Sequence, residues 1–313
     1  MTQKKILILG AGCVGMAYGA VLDHSDHDVS YLMRSQYEKI KSQKFYSLDM
    51  NSQCLEKIFT EKVYKDYLEL KNKIFDIIIV SLKTTENKLL KTILPVLSDK
   101  KTIVVMLQNG IDNEEYISDF VPSDRIVCAV TTIGALKINQ GSILIRFIGE
   151  MKLACFNEEG KSARNIVAEC FSSKKPFDAN VHCYDSHREI RWKKIMWNAV
   201  FNPLSIIHNQ SADILASHED YLIEVMAIMD EIKTLAEKEN VTITQDEIDT
   251  LLTNTRLYTG YFPSMYKDYI NGKPIEMEFL INTVIAIAKR HDFEPIHLNS
   301  VRKRLNTILD SAN

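Results

Sequence analysis

Short apolar runs that end in turn signals alternate with segments of helical period through the first half of the chain. Residues 4–9 pass from Lys4-Lys5 into Ile6-Leu7-Ile8-Leu9, and residues 28–33 (Asp28-Val29-Ser30-Tyr31-Leu32-Met33) form a second run. Residues 74–83, 102–107 and 125–130 repeat the pattern, and their nearly continuous apolar character is that of parallel strands buried on both faces. Residues 16–22 and 89–97 suit helices between them. Residues 142–148 and 152–156 read as a hairpin-like extension of the sheet. This alternation fades near Cys183, and from about Asp185 the period is helical. Residues 221–239 carry Leu222, Val225, Met226, Met229, Ile232 and Ala236 at core-facing spacing, with a polar face that reads as solvated. Asn271-Gly272-Lys273 turns the chain, Pro274 suits a first helical position, and Glu276 then falls in the first turn of a helix reaching about Arg290. The pattern predicts an α/β domain over residues 1–184 and an all-helical domain over residues 185–313.

A full G-x-G-x-x-G, Gly10-Ala11-Gly12-Cys13-Val14-Gly15, joins the first predicted strand to the first predicted helix. In that context the first glycine permits a tight turn, the second admits a pyrophosphate, and the third lets helix pack on strand, with the helix N-terminus attracting the phosphate charge. The α/β domain is therefore expected to be a Rossmann-type dinucleotide-binding domain. The tip of the second strand lies beside the adenosine ribose in such a domain, and it carries Arg34 where an NAD enzyme has Asp or Glu. A guanidinium suits a 2′-phosphate, so NADPH is the expected cofactor. Lys83 and Asn109 follow later strands at their carboxyl ends, where ligands gather in open parallel sheets.

The segment from Trp192 to Leu204 puts Lys194, Asn198 and Asn202 at four-residue spacing on one helical face. Trp192, Ile195, Met196, Trp197, Ala199, Val200, Phe201 and Leu204 fill the rest, so the helix should be buried. A lysine there costs several kcal/mol unless it has partners. Such a stripe is expected to line a site. An ammonium held against a carbonyl oxygen can stabilise the charge left by hydride delivery and donate the proton, and apolar surroundings with a nearby cation would lower its pKa to ease that transfer. Lys193 points about 100° away and is expected to face solvent. Asn202, just before Pro203, is expected at a kink or an end of the helix.

Composition narrows the functional classes. A chain of 313 residues suggests two domains, and a formal charge of −3 without a basic tract speaks against nucleic acid or an acidic membrane as partner. Cys13, Cys54, Cys128, Cys155, Cys170 and Cys183 lack C-x-x-C spacing, which fits reduced thiols in the cytoplasm. The histidines form no ligand pattern, so no metal site is expected. Lys4-Lys5 before an apolar stretch superficially resembles a signal peptide, but glycines break its core and no cleavage pattern follows at Asp23-His24-Ser25-Asp26. No segment approaches the roughly eighteen to twenty apolar residues of a membrane span.

With those residues in place, the chain resembles the ketopantoate reductase (2-dehydropantoate 2-reductase) family over nearly its whole length. The resemblance rests on the glycine motif, Arg34, Ser81-Leu82-Lys83, Gln108-Asn109-Gly110, Thr131-Thr132-Ile133-Gly134-Ala135, the Lys194, Asn198 and Asn202-Pro203-Leu204 helix, Pro263-Ser264-Met265-Tyr266-Lys267-Asp268, and Glu276. It implies NADPH-dependent reduction of ketopantoate to pantoate for pantothenate and coenzyme A synthesis. By the same resemblance Lys194 is the general acid, Asn109, Asn198, Asn202 and Ser264 hold the substrate, and Glu276 completes a site between the domains. Gly10, Gly12, Cys13, Val14, Gly15, Arg34, Lys83, Asn109, Ala135 and Glu276 are the implied cofactor contacts. The partner expected is a small 2-keto acid, with a homodimer left open. The chain departs from the family's habit at Gln140-Gly141-Ser142, Arg146-Phe147 and Ala212-Asp213. These departures leave the reaction type intact but make a reductase of another 2-keto acid an alternative; a non-catalytic NADPH-binding sensor is a separate one.

Overall fold

The computed structural model describes residues 2–51 and 55–312. Cys54 lies outside the described residues. The chain opens with β1 (Lys5–Leu9), α1 (Cys13–His24), β2 (Asp28–Leu32), α2 (Tyr37–Gln43), β3 (Phe45–Met50), β4 (Leu55–Phe59) and β5 (Val63–Tyr64). It continues through β6 (Ile77–Val80), α3 (Leu90–Leu97), β7 (Ile103–Met106), α4 (Asn113–Ser118), β8 (Ile126–Asn139), β9 (Ser142–Cys155), α5 (Lys161–Cys170) and β10 (Val181–Tyr184).

Among the described residues, ten strands form one sheet in the order β4-β3-β9-β8-β7-β6-β1-β2-β5, with β10 beside β9. The stretch from β5 to β8 is parallel throughout. From β1 the chain moves outward to β2 on one side and later to β6, β7 and β8 on the other. That reversal is the switch point where α/β sheets bind ligands, and the glycine motif sits on it. The apolar runs are continuous because both faces are covered. Ile6, Ile8, Ile77, Ile79, Ile103 and Val105 belong to one core, while Leu7, Leu9, Ile78, Val80, Val104 and Met106 belong to another.

Two features differ from the pattern reading. The residues predicted as two strands of a hairpin form one continuous β9, antiparallel to β8. The apparent break at Gly149-Glu150 is a bulge, where register shifts between Thr131 and Ile133, and Gly149 lies close against Thr132. Between Arg34 and Ile74, where the pattern assigns nothing, the structure has α2 and β3 to β5.

After β10 the chain is helical: α6 (His187–His208), α7 (Ala212–Ser217), α8 (Glu219–Lys238), α9 (Gln245–Leu257), α10 (Ser264–Ile270), a π-helical turn (Glu278–Asn282), α11 (Thr283–Arg290) and α12 (Ile296–Ala312). The chain divides into two compact units. One comprises the residues up to Gln108 together with Asn113–His187, and the other comprises Asn109–Asp112 with the residues from Arg188 onward. The second unit has its own core, built on Trp192, Phe201, Leu204, Ile228, Ile232 and Ile285.

Helix α6 does not end at Asn202, one of the two outcomes expected there, because it runs through Pro203 to His208. Proline supplies no N–H to the turn below. Fully buried Val200, Phe201 and Leu204 hold the helix on both sides of it, and the Asn202 side-chain amide donates to the Asn198 carbonyl at 3.0 Å. The polar face of α8 is also not wholly solvated. Glu231 is buried and accepts from the backbone N–H groups of His297 (2.7 Å) and Leu298 (3.0 Å), capping the start of α12. Pro274 and Glu276 precede the helix rather than open it, since helical structure starts at Met277 and at once widens into the π turn.

No helix among the described residues is long and apolar enough to cross a membrane.

Candidate active site

In the first unit the chain turns immediately after Leu9. Gly10 has φ +92°, and a Cβ there would lie 2.6 Å from the backbone nitrogen of Leu82. The turn is tied to the end of β2, since the N–H groups of Gly10 and Ala11 both donate to the Leu32 carbonyl, at 3.1 and 3.0 Å. Gly15 is the close-packing glycine: a Cβ would meet Ser81 Oγ at 2.4 Å and Ile8 Cγ2 at 2.9 Å. Gly12 is different. It precedes α1, no side chain caps it, and nothing lies closer than 3.9 Å to where its Cβ would stand. Cys13 and Val14 follow as the first helical residues, so unfilled space meets the positive end of a helix.

Three other predicted nucleotide contacts belong to this unit. Arg34 follows β2 and is exposed, with Nη2 3.2 Å from Glu86 Oε1. Lys83 is exposed and immediately precedes a short 3-10 helix, Thr84–Leu89, without a side-chain cap. Ala135 lies within β8, partly exposed. The motif reading gave Gln108 no role, yet its buried amide donates to the Leu82 carbonyl at 2.9 Å and to Asn87 Oδ1 at 2.7 Å. Asn87 in turn donates to Asn113 Oδ1 at 3.2 Å. This amide chain fixes the segment that carries Lys83.

In the second unit, Lys194, Asn198 and Asn202 occupy one face of α6. The two asparagines are each 3 % exposed. Lys194 is only half-buried, contrary to expectation, and its Nζ stands 5.7 Å from the centroid of the Trp197 ring, a contact that suits a cation. That ring is itself anchored, because Trp197 Nε1 donates to Thr255 Oγ1 at 3.0 Å and the indole packs on Phe201. Lys193 is not a freely solvated residue. It pairs with Glu189 and Glu247, both at 2.8 Å. Partial burial opposes its charge, but the hydrogen bonds to Glu189 and Glu247 prevail and hold its pKa above the ordinary lysine value.

Asn109 also belongs to this unit. The Asn198 side-chain amide donates to Asn109 Oδ1 at 3.4 Å. The Asn109 segment is pinned by the π turn: Ile111 N–H donates to the Phe279 carbonyl at 3.0 Å, and a Cβ on Gly110 (φ +105°) would lie 2.7 Å from Phe279 Cβ. Asn202 Oδ1 accepts the Met265 N–H at 3.3 Å, joining α6 to the start of α10, where Ser264 is exposed. Glu276 is 9 % exposed and lies in the irregular segment that leads into the π turn. The second unit thus contains Lys194, Asn198, Asn202, Asn109, Ser264 and Glu276, while the glycine motif, Arg34, Lys83 and Ala135 are in the first. Trp197 and Phe279 escaped the sequence reading because an aromatic residue in an apolar run looks like core.

Two family models account for most of the chain: "Ketopantoate reductase PanE/ApbA" matches residues 6–158, and "Ketopantoate reductase PanE/ApbA C terminal" matches residues 186–306. The chain belongs to the ketopantoate reductase family. The family comprises NAD(P)-dependent reductases of 2-keto acids. A 2-dehydropantoate 2-reductase of Nostoc sp. is 28 % identical, with 100 % of this chain and 97 % of the relative aligned. Among solved structures, 2-dehydropantoate 2-reductase from Geobacter metallireducens superposes with a TM-score of 0.88 at 25 % identity, over 97 % of this chain and 99 % of that one. The fold is shared as well with D-mandelate dehydrogenase in a ternary structure with NADH and anilino(oxo)acetate, at a TM-score of 0.86 and 21 % identity, over 98 % and 99 % of the two chains. The family binds a nicotinamide dinucleotide. The residues here fit one, as the open position at Gly12 and the uncapped start of α1 match a pyrophosphate.

Proposed function

We propose that this protein is an NADPH-dependent 2-dehydropantoate 2-reductase, reducing ketopantoate to pantoate in cytoplasmic pantothenate and coenzyme A synthesis. The observation that carries the reading is the polar face of α6: one lysine and two buried asparagines at four-residue spacing, amid the core residues Trp192, Ile195, Met196, Ala199, Val200, Phe201 and Leu204. A buried polar face of this kind is costly in a pure binding protein, which weighs against a sensor.

When bound, NADPH would supply the hydride. As negative charge develops on the carbonyl oxygen, Lys194 Nζ stabilises it and then gives up a proton, so that hydride and proton together convert ketone to alcohol. Trp197 holds the lysine head in place. The amides of Asn198 and Asn202 orient the substrate without neutralising the ammonium. Ser264 and Asn109 offer neutral donors to the substrate carboxylate, and Glu276 accepts from its hydroxyl. Gly10, Gly12, Cys13, Val14 and Gly15 receive the pyrophosphate, Arg34 and Lys83 the 2′-phosphate side, and Ala135, Asn109 and Glu276 complete the cofactor contacts.

Initial rates of nicotinamide oxidation with ketopantoate, measured with NADPH and NADH side by side near neutral pH, test the proposal. Robust turnover with NADPH and much slower turnover with NADH is the expected result. NADPH binding without ketopantoate turnover would discard the substrate. The departure at Ala212-Asp213 gives other 2-keto acids the next claim: Ala212 N–H donates to the Tyr261 carbonyl and Asp213 accepts from Gly260 N–H, so these residues shape the turn leading to Ser264.

A further inference from the structure

We propose that Glu86 is a specificity-determining residue for the cofactor: it is the counter-ion with which a bound 2′-phosphate must share Arg34, and it sets how strongly NADPH is preferred over NADH. The proposal rests on the NADPH reading above and adds a residue that opposes it.

The geometry is local to the first unit. Arg34 stands just past the end of β2, and Glu86 lies in the first turn of the 3-10 helix that begins after Lys83. Glu86 N–H donates to the Lys83 carbonyl at 2.9 Å, which fixes the backbone of that turn. Its carboxylate reaches back to Arg34, Oε1 to Nη2 3.2 Å, with side-chain exposures of 34 % and 66 %. A glutamate in a first helical turn is ordinary. A glutamate occupying the guanidinium that is meant for a phosphate is not.

An exposed ion pair is weak, so Glu86 does not bar the site. It acts on the bound state instead. A phosphate monoester carries a charge of about −1.5 to −2 near neutral pH. Held in the Arg34 fork, it would lie within a guanidinium's width of Glu86, and the two anions repel. NADH has an uncharged ribose hydroxyl at the same place and leaves the Arg34–Glu86 pair intact. Glu86 therefore penalises NADPH selectively, and the penalty shrinks as salt screens it.

Fluorescence titration of NADPH and NADH into the full-length wild-type protein, Glu86→Gln and Arg34→Ala tests this without reference to turnover. Glu86→Gln should tighten NADPH about three- to tenfold at low ionic strength, with a smaller gain at about 0.5 M salt. Arg34→Ala should weaken NADPH by roughly tenfold or more. The NADH dissociation constant should stay within about twofold in Glu86→Gln, which also shows that its fold is intact. If Glu86→Gln leaves NADPH affinity unchanged or weakens it while Arg34→Ala still costs affinity, the role of Glu86 is overturned and that of Arg34 stands. If Arg34→Ala has no effect on NADPH, both fall.

Discussion

Adjacent lysines on α6 keep opposite company. Lys193 is clasped by Glu189 and Glu247, which stabilise its charge and make it a poor proton donor. Lys194 has the face of Trp197 beside it. If that ring holds the ammonium in place, Trp197→Leu should lower kcat about tenfold with little change in the KM for the keto acid, and Trp197→Phe should restore most of the loss. A loss confined to KM would assign the ring to substrate binding instead. Elsewhere, His27 reports on the start of β1. Its Nδ1 faces the Lys4 N–H at 3.3 Å, and burial pushes the imidazole pKa below the ordinary 6.5. The unfolded chain takes up a proton at this histidine below pH 6.5 that the folded protein resists, so stability falls as pH drops through that range. Urea midpoints at about pH 7.5 and 5.5 should therefore separate more in the wild type than in His27→Asn, whose unfolded state has no such proton to take up. Equal separations would remove His27 from the acid response.

The elements differ in how far their residues announce them. β6, β7 and, after Lys5, β1 are legible because every position is apolar and packs into one of two cores. The stripe of α6 is legible because Lys and Asn at four-residue spacing have no place in an apolar helix unless something uses them. β4 is not legible: it is short and at the sheet edge, with Leu55 and Phe59 exposed at 62 % and 70 %, so burial writes no alternation into it. The π turn is equally silent, since the sequence around Glu276 reads as an ordinary helix start and only packing against Gly110 and Ile111 reveals the difference. Glu231 shows the same limit on α8. Its carboxylate serves two backbone donors of α12, and Glu231→Ala should lower the unfolding free energy by about 1–3 kcal/mol in chemical denaturation. A change under about 0.5 kcal/mol, usual for a solvated surface site, would contradict the capping role.

At the scale of the molecule, each unit carries its own core and its own part of the chemistry. The glycine motif, Arg34, Lys83 and Ala135 are on one unit, and the α6 face with Asn109, Ser264 and Glu276 is on the other. Chain order conceals this for Asn109. It follows β7 directly in sequence, but its segment packs with the helical unit through Ile111 and Phe279, a grouping that long-range packing decides. Dinucleotide binding should stabilise the protein by mass action, adding about 2.7 kcal/mol at a ligand concentration about one hundred times Kd. A thermal-shift comparison at equal concentration should therefore show a larger rise with NADPH than with NADH, and equal rises would argue against a contact with the 2′-phosphate. The central claim is that α6 presents one catalytic lysine, and the decisive measurement is kcat for ketopantoate reduction by Lys194→Ala and Lys193→Ala under saturating NADPH. Lys194→Ala should lose several orders of magnitude, about 10²–10⁴ for the loss of a positioned acid, while Lys193→Ala retains turnover near that of the wild type. Comparable losses in the two variants, or none in Lys194→Ala, would contradict the account.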